Sequence, residues 1–234
     1  MLSVNQVSGG YLNRKIIKDI TFDIQPGEIV GLIGLNGAGK STTIRHMTGV
    51  LKPHSGEITI DKQDWMSQRE KLAHIPDKPE LYPNLTITEH FQFIKRIYHL
   101  KEDDYLNHLI DRYSLSSHMN KYPHALSKGT QQKVSIISAL IANPTYLVVD
   151  EPFMGLDPQG LKFFKEDLIR LKDEGCGLII STHMLTIAER LCNRIIVLHR
   201  GRQLRYSDRS YLRPEDLSET DLEELFFSLT EAAE

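Results

Sequence analysis

Glu28-Ile29-Val30-Gly31-Leu32-Ile33 runs directly into Gly34-Leu35-Asn36-Gly37-Ala38-Gly39-Lys40-Ser41, and this junction constrains the fold more than any other stretch. The first six residues read as a buried strand. The next eight fit G-x-x-x-x-G-K-[ST], and Ile44, Met47 and Val50 follow at helical spacing. Strand, glycine-rich turn and helix in that order make a cradle for polyphosphate. Glycines let successive N–H groups converge, and the helix start adds partial positive charge. Gly34, Leu35, Asn36, Gly37, Ala38, Gly39, Lys40, Ser41 and Thr42 are therefore candidate nucleotide-binding positions. Lys40 is expected to reach the β and γ phosphates of ATP, and the Ser41 hydroxyl to help hold Mg²⁺.

With 234 residues, 40 % of them hydrophobic and 25 % charged, the chain has core enough for one large domain. A net charge of −3 gives no global pull toward nucleic acid or anionic lipid, so no nucleic-acid partner is expected. Cys176 and Cys192 lack metal-ligand spacing and suit a reducing cytosol. The N-terminus carries no export signal pattern. The longest uncharged run, Val134 to Val149, is broken by Asn143-Pro144 and falls short of the ~20 residues a bilayer span needs. Any membrane role is expected to come through a partner.

Leu2 to Val7 reads as a first strand, and Ile20, Phe22 and Ile24 alternate as in a half-buried antiparallel strand. Glu57 to Ile60 and Leu72 to Ile75 add two short strands. Thr86-x-x-Glu89 is a capping-box pattern leading into Phe91, Ile94 and Tyr98, and Leu106, Leu109, Ile110 and Tyr113 form a second helical stripe. Leu126 to Ala142 reads as a third helix. Strands are expected at Tyr146 to Val149, Leu178 to Ile180 and Ile195 to Leu198, with a helix started by Asp157-Pro158 between the first two. Strand–helix alternation predicts an α/β fold with a doubly wound, mainly parallel sheet and an inserted helical subdomain. From Glu215 the tail is acidic, and Thr220-x-x-Glu223 precedes a helical face of Leu222, Leu225, Phe226 and Leu229. That face suits either packing on the domain or binding a partner.

Tyr146-Leu147-Val148-Val149 delivers Asp150-Glu151 to the sheet's C-terminal edge, where ligands of open α/β sheets bind. Asp150 is a candidate Mg²⁺ holder and Glu151 a candidate base for the attacking water. Here the chain resembles the ATP-binding cassette (ABC) family over nearly its full length. Leu126-Ser127-Lys128-Gly129-Thr130-Gln131-Gln132 is similar to that family's signature loop. Gly155-Leu156-Asp157-Pro158 resembles its D-loop, and Ser181-Thr182-His183 its switch-histidine segment. Tyr11, after Gly9-Gly10, stands where an aromatic stacks on adenine, a contact of about 1–3 kcal/mol by analogy with base stacking.

The resemblance implies a RecA-like P-loop NTPase fold with an antiparallel β subdomain. It implies an ATP-binding domain over residues 2–226 (core 2–82 and 127–212, helical subdomain 83–126) and an acidic helical tail over 213–234. Two copies would pair head-to-tail, Ser127 and Gly129 of one covering the γ-phosphate held by the other. His183 would sense that phosphate and Asp157 would bridge the copies. Partners implied are a second copy and a separately encoded multispanning permease, placing the chain at the cytoplasmic face of the membrane.

Three positions depart from the pattern: Lys128 for glycine, Thr130 for glutamine, and Asp77 where the Q-loop glutamine should follow Pro76. A carboxylate accepts from metal-bound water but donates nothing, so Asp77 is a candidate metal position with altered coupling. Ile75-Pro76-Asp77-Lys78-Pro79-Glu80-Leu81-Tyr82 resembles Ecs-type, exporter-like ATP-binding subunits of Gram-positive bacteria. The competing function is a soluble cassette ATPase, as in iron–sulfur cluster assembly.

Overall fold

Every residue of β3 (Ile29–Ile33) is buried, as a strand covered on both faces must be. The computed structural model describes residues 1–12, 14–101, 103–153, 155–204 and 222–231. It sets β3 between β8 (Gly177–Thr182) and β9 (Arg194–His199), parallel to both. Beyond β8 lie β7 (Tyr146–Asp150) and then β6 (Leu72–Ile75), also parallel. The two-residue β10 (Arg202–Gln203) runs antiparallel along β9. A second sheet, wholly antiparallel, joins β2 (Arg14–Ile24), β1 (Leu2–Tyr11), β4 (Ser55–Ile60) and β5 (Gln63–Asp64) in that order. The fold is thus the expected α/β arrangement, a mainly parallel sheet with an antiparallel companion.

Strand periodicity divides the core in two. Ile29 and Ile33 face one apolar layer, while Val30 and Leu32 face the other. The first layer is closed by α2 (Ile87–Ile97), α3 (Asp104–Arg112), α4 (Lys128–Ile141), α5 (Pro158–Asp173) and α6 (Leu185–Leu191). The second is closed by α1 (Lys40–Met47) and the antiparallel sheet. A continuous apolar run does not say which side chain goes to which layer; the neighbouring strands decide. Among the described residues, no helix is long and apolar enough to cross a membrane.

Local signals account for most element starts. Thr86 and Glu89 form the reciprocal capping box at α2, Ser127 caps α4, and Asp157 with Pro158 opens α5. One strand end and one helix differ from the sequence reading. β1 continues past Val7 to Tyr11 through irregular pairing with β2. Helix α1 ends at Met47 and the chain turns at Gly49 (φ 74°), the stop that Gly49 and Pro53 mark in the sequence, so Val50 lies past the helix and is 65 % exposed. Helix α6 had no clear sequence signal.

The last helix, α7 (Leu222–Glu231), buries Leu222 and Phe226 in the same layer as Ile187 and Ala188 of α6. Leu229 is half-buried there. This favours the packed reading of the tail; Thr220 and the boundary at 213 lie outside the described residues. Cys176 and Cys192 are free and buried, and burial pushes both thiols up to about 12.

One buried polar contact ties the helical block to α5. The Tyr113 hydroxyl, just past α3, donates to Asp167 Oδ2 of α5 at 2.7 Å, and both residues are buried. Arg112 stands beside that carboxylate at 3.7 Å. Tyr113→Phe should destabilise the chain by about 1–3 kcal/mol, because it strips a donor from a buried carboxylate. Urea unfolding checks this; an unchanged midpoint contradicts it.

Candidate nucleotide site

The parallel pairings β3–β8 and β8–β7 bring two strand ends to one edge, with the glycine-rich turn following the first and Asp150-Glu151 closing the second. Gly39 sits at φ 108°, a conformation nearly closed to other residues, and is the N-cap of α1. No side chain caps that helix, so its first-turn N–H groups are left for an anion. Beside them is an open cavity of about 420 Å³ lined by Leu35, Asn36, Gly37, Gly39, Lys40, Ser41 and Thr42. Ile16, Asp77, Glu151 and His183 complete the wall. Gly34 and Ala38 are buried behind the turn, where the Gly34 carbonyl accepts from Lys40 Nζ at 2.8 Å.

Lys40 is 6 % exposed and lies 3.4 Å from Glu151 Oε1. The other carboxylate oxygen, Oε2, is 2.9 Å from His183 Nδ1. One carboxylate thus spans the lysine of the turn and the histidine after β8. Its backbone is at φ 46°, costing about 1–2 kcal/mol in an ordinary residue. Asp150 is buried, and its Oδ1 accepts the Ser181 hydroxyl and lies 3.4 Å from Ser41 Oγ. Asp150 is not in the cavity lining and reaches it through Ser41, so the groups a phosphate, a cation and an attacking water require lie together at one edge of the sheet.

The remaining candidates lie elsewhere. Tyr11 is 41 % exposed at the end of β1, outside the cavity lining, where Arg45 of α1 donates to its hydroxyl and stands 5.8 Å from its ring. Ser127, Gly129 and Asp157 also lie outside that lining. Ser127 Oγ accepts the Thr130 N–H at 3.2 Å and shares a hydrogen bond with the Thr130 hydroxyl at 2.8 Å, so Thr130 fills the glutamine's usual place with a local contact. Asp157 accepts from Lys133 Nζ at 3.0 Å and from the Gly160 N–H at 2.7 Å, and the Lys133 bond first holds its carboxyl below the usual range. A Cβ on Gly129 would lie 2.4 Å from the Gly155 carbonyl oxygen. The two loops therefore touch through backbone.

Sequence reasoning missed Arg45, Lys133 and Ser181. The only available signal was the polar Ser181 at the end of the apolar Leu178-Ile179-Ile180.

The glycine-rich turn, the buried lysine and the adjacent carboxylates define a phosphate-loop nucleoside triphosphatase. The sequence profile described as "ABC transporter" matches residues 17–154. The ABC-type transporter ATP-binding protein EcsA of Bacillus subtilis is 37 % identical over 98 % of this chain and 96 % of its own length. A solved structure titled as the ATP-binding subunit of an ABC transporter superposes with a TM-score of 0.90 at 37 % identity, covering 98 % of this chain and 99 % of that one. A dimeric post-hydrolysis structure of the cassette MJ0796 with ADP and Pi gives 0.78 at 25 % identity, over 92 % and 99 %. The chain belongs to the ABC transporter family as an ATP-binding subunit, and its activity is ATP hydrolysis.

Gly129→Ala forces the contact with Gly155 apart, at about 1–3 kcal/mol for overpacking. ATP turnover should fall while the chain still folds; wild-type turnover with an unchanged melting temperature contradicts the tight contact.

Proposed function

We propose that two copies of this chain close head-to-tail around two ATP molecules and drive a separately encoded multispanning permease that works as an exporter. The observation that carries this is the separation of parts within one chain. Ser127 and Asp157 are exposed and lie outside the chain's own phosphate cavity, which is itself open to solvent. In a second copy, the Ser127 hydroxyl and the N-terminus of α4 would supply donors to the γ-phosphate.

The cavity suits a magnesium nucleotide. Ser41 Oγ and Asp150 Oδ1 are hard oxygen donors 3.4 Å apart, with Asp77 on the cavity wall. Among the described residues, no group of three or more His, Cys, Asp or Glu could hold a metal alone. That matches Mg²⁺, which takes few protein ligands and relies on water and substrate phosphate. Bound there, it would neutralise charge developing on the phosphate oxygens.

The residues divide the work. Lys40 leaves Glu151 for the phosphates, and the amides of Gly37, Ala38, Gly39, Lys40, Ser41 and Thr42 cradle them. Glu151, released on one side and still held by His183 on the other, takes the proton of the water that attacks the γ-phosphorus as the bond to ADP breaks. Tyr11, steadied by Arg45, stacks on the base. Closure excludes bulk water, and the charge created by hydrolysis reopens the pair.

The permease contact is assigned to a second cavity of about 380 Å³, beside Asp77, whose lining includes Trp65, Leu81, Tyr82, His90, Ile94 and Tyr98. An aromatic-walled groove of this size accepts one short helix from a cytoplasmic loop. Docking there holds the chain at the cytoplasmic face of the membrane. The outward direction rests on the likeness of residues 75–82 to exporter-like subunits.

Glu151→Gln should convert the chain to a dimer with saturating ATP and Mg²⁺, read by sedimentation velocity without a permease; a persistent monomer overturns the half-site reading. Asp77→Gln should keep or raise basal ATPase activity, and complete loss in a turnover assay would assign the acid a specific role.

A further inference from the structure

At the end of β8, one side chain holds two groups of the hydrolytic wall. Ser181 is fully buried and stands opposite Asp150 in the β7–β8 register. Its hydroxyl donates to Asp150 Oδ1. Ser181 Oγ in turn accepts the Glu151 N–H at 3.2 Å, and the Ser181 carbonyl accepts that N–H at 3.1 Å. A hydroxyl has one hydrogen and two lone pairs, so both bonds to the oxygen can exist together.

Burial alone does not call for this residue. Leu178, Ile179 and Ile180 precede it in the same buried strand, and a hydroxyl in such a layer costs free energy unless it is bonded. Both of its bonds go to the carboxylate pair. One restrains rotation of Asp150 beside Ser41; the other secures the amide of Glu151, whose φ of 46° is unfavourable without support.

We infer that Ser181 is a positioning residue of this ATPase. It sets the Asp150 carboxylate toward the cation and fixes the backbone turn that aims Glu151 between Lys40 and His183. This rests on the magnesium–ATP reading of the cavity. Ser181 does not touch substrate in this role and acts only through its two neighbours.

The test compares Ser181→Thr with Ser181→Val in the full chain. The two side chains have the same shape, so any steric cost is shared and the hydroxyl alone separates them. Steady-state ATP turnover is read beside the affinity for a fluorescent ADP, in Mg²⁺ and in EDTA. The Val variant should turn over about tenfold more slowly than the Thr variant, the scale of one hydrogen bond to a charged group. It should also lose most of the affinity gained from Mg²⁺ while its EDTA affinity stays that of the Thr variant. Equal turnover and equal Mg²⁺ gain in the two variants overturn the inference. So does equal loss in both, which would make Ser181 a matter of shape. A wild-type chain whose ADP affinity gains nothing from Mg²⁺ overturns the magnesium reading and this inference together, and that result is recognisable before either variant is made.

Discussion

The ion pair between Lys40 and Glu151 is the interaction around which the site is arranged. A lysine only 6 % exposed needs a partner, because removing an ammonium from water is costly unless an opposite charge and hydrogen bonds replace the solvent. Here the partners are the Glu151 carboxylate and the Gly34 carbonyl. The carbonyl lies six residues before the lysine, but the carboxylate cannot be supplied locally: β8 must insert between β3 and β7 so that the two strand ends open on the same edge. The sheet order is thus the condition for a stable buried charge as well as for catalysis. A triphosphate offers Lys40 a denser anion than Glu151 does, so on the proposed reading ligand binding would exchange one electrostatic partner for another.

A second consequence follows from His183 Nδ1 meeting Glu151 Oε2. The base is held from two sides, by groups following two different strands, and its backbone sits in a conformation that the β7–β8 pairing supports. On the proposed mechanism, the His183 contact would hold Glu151 in place once Lys40 moves to the phosphates, which would restrict where the attacking water can stand.

Much of this was legible in the chain itself, for physical reasons. Residues 34–41 declare a phosphate cradle because few sequences can make that turn, and Asp157-Pro158 and Thr86-x-x-Glu89 announce helices through caps that act within one turn. What stayed hidden depended on distant neighbours. The bond from Ser181 to Asp150 requires strand register, and that between Lys133 and Asp157 requires α4 to lie beside the start of α5. Val50 continues the helical spacing of Ile44 and Met47 but lies beyond Gly49, whose left-handed geometry makes it the stop that the sequence marks. Helix α6 is too short to show a pattern and exists because Ile187 and Ala188 find the apolar layer beneath them.

That apolar layer draws on residues from Ile29 to Phe226. During synthesis, β3 leaves the ribosome long before Gly177–Thr182 and Arg194–His199, the strands it pairs with among the described residues. The antiparallel pairs β1–β2 and β1–β4 need nothing made later than Ile60 and can form first. The nascent chain therefore carries this apolar strand unpaired through most of translation, exposed to aggregation until the final quarter arrives.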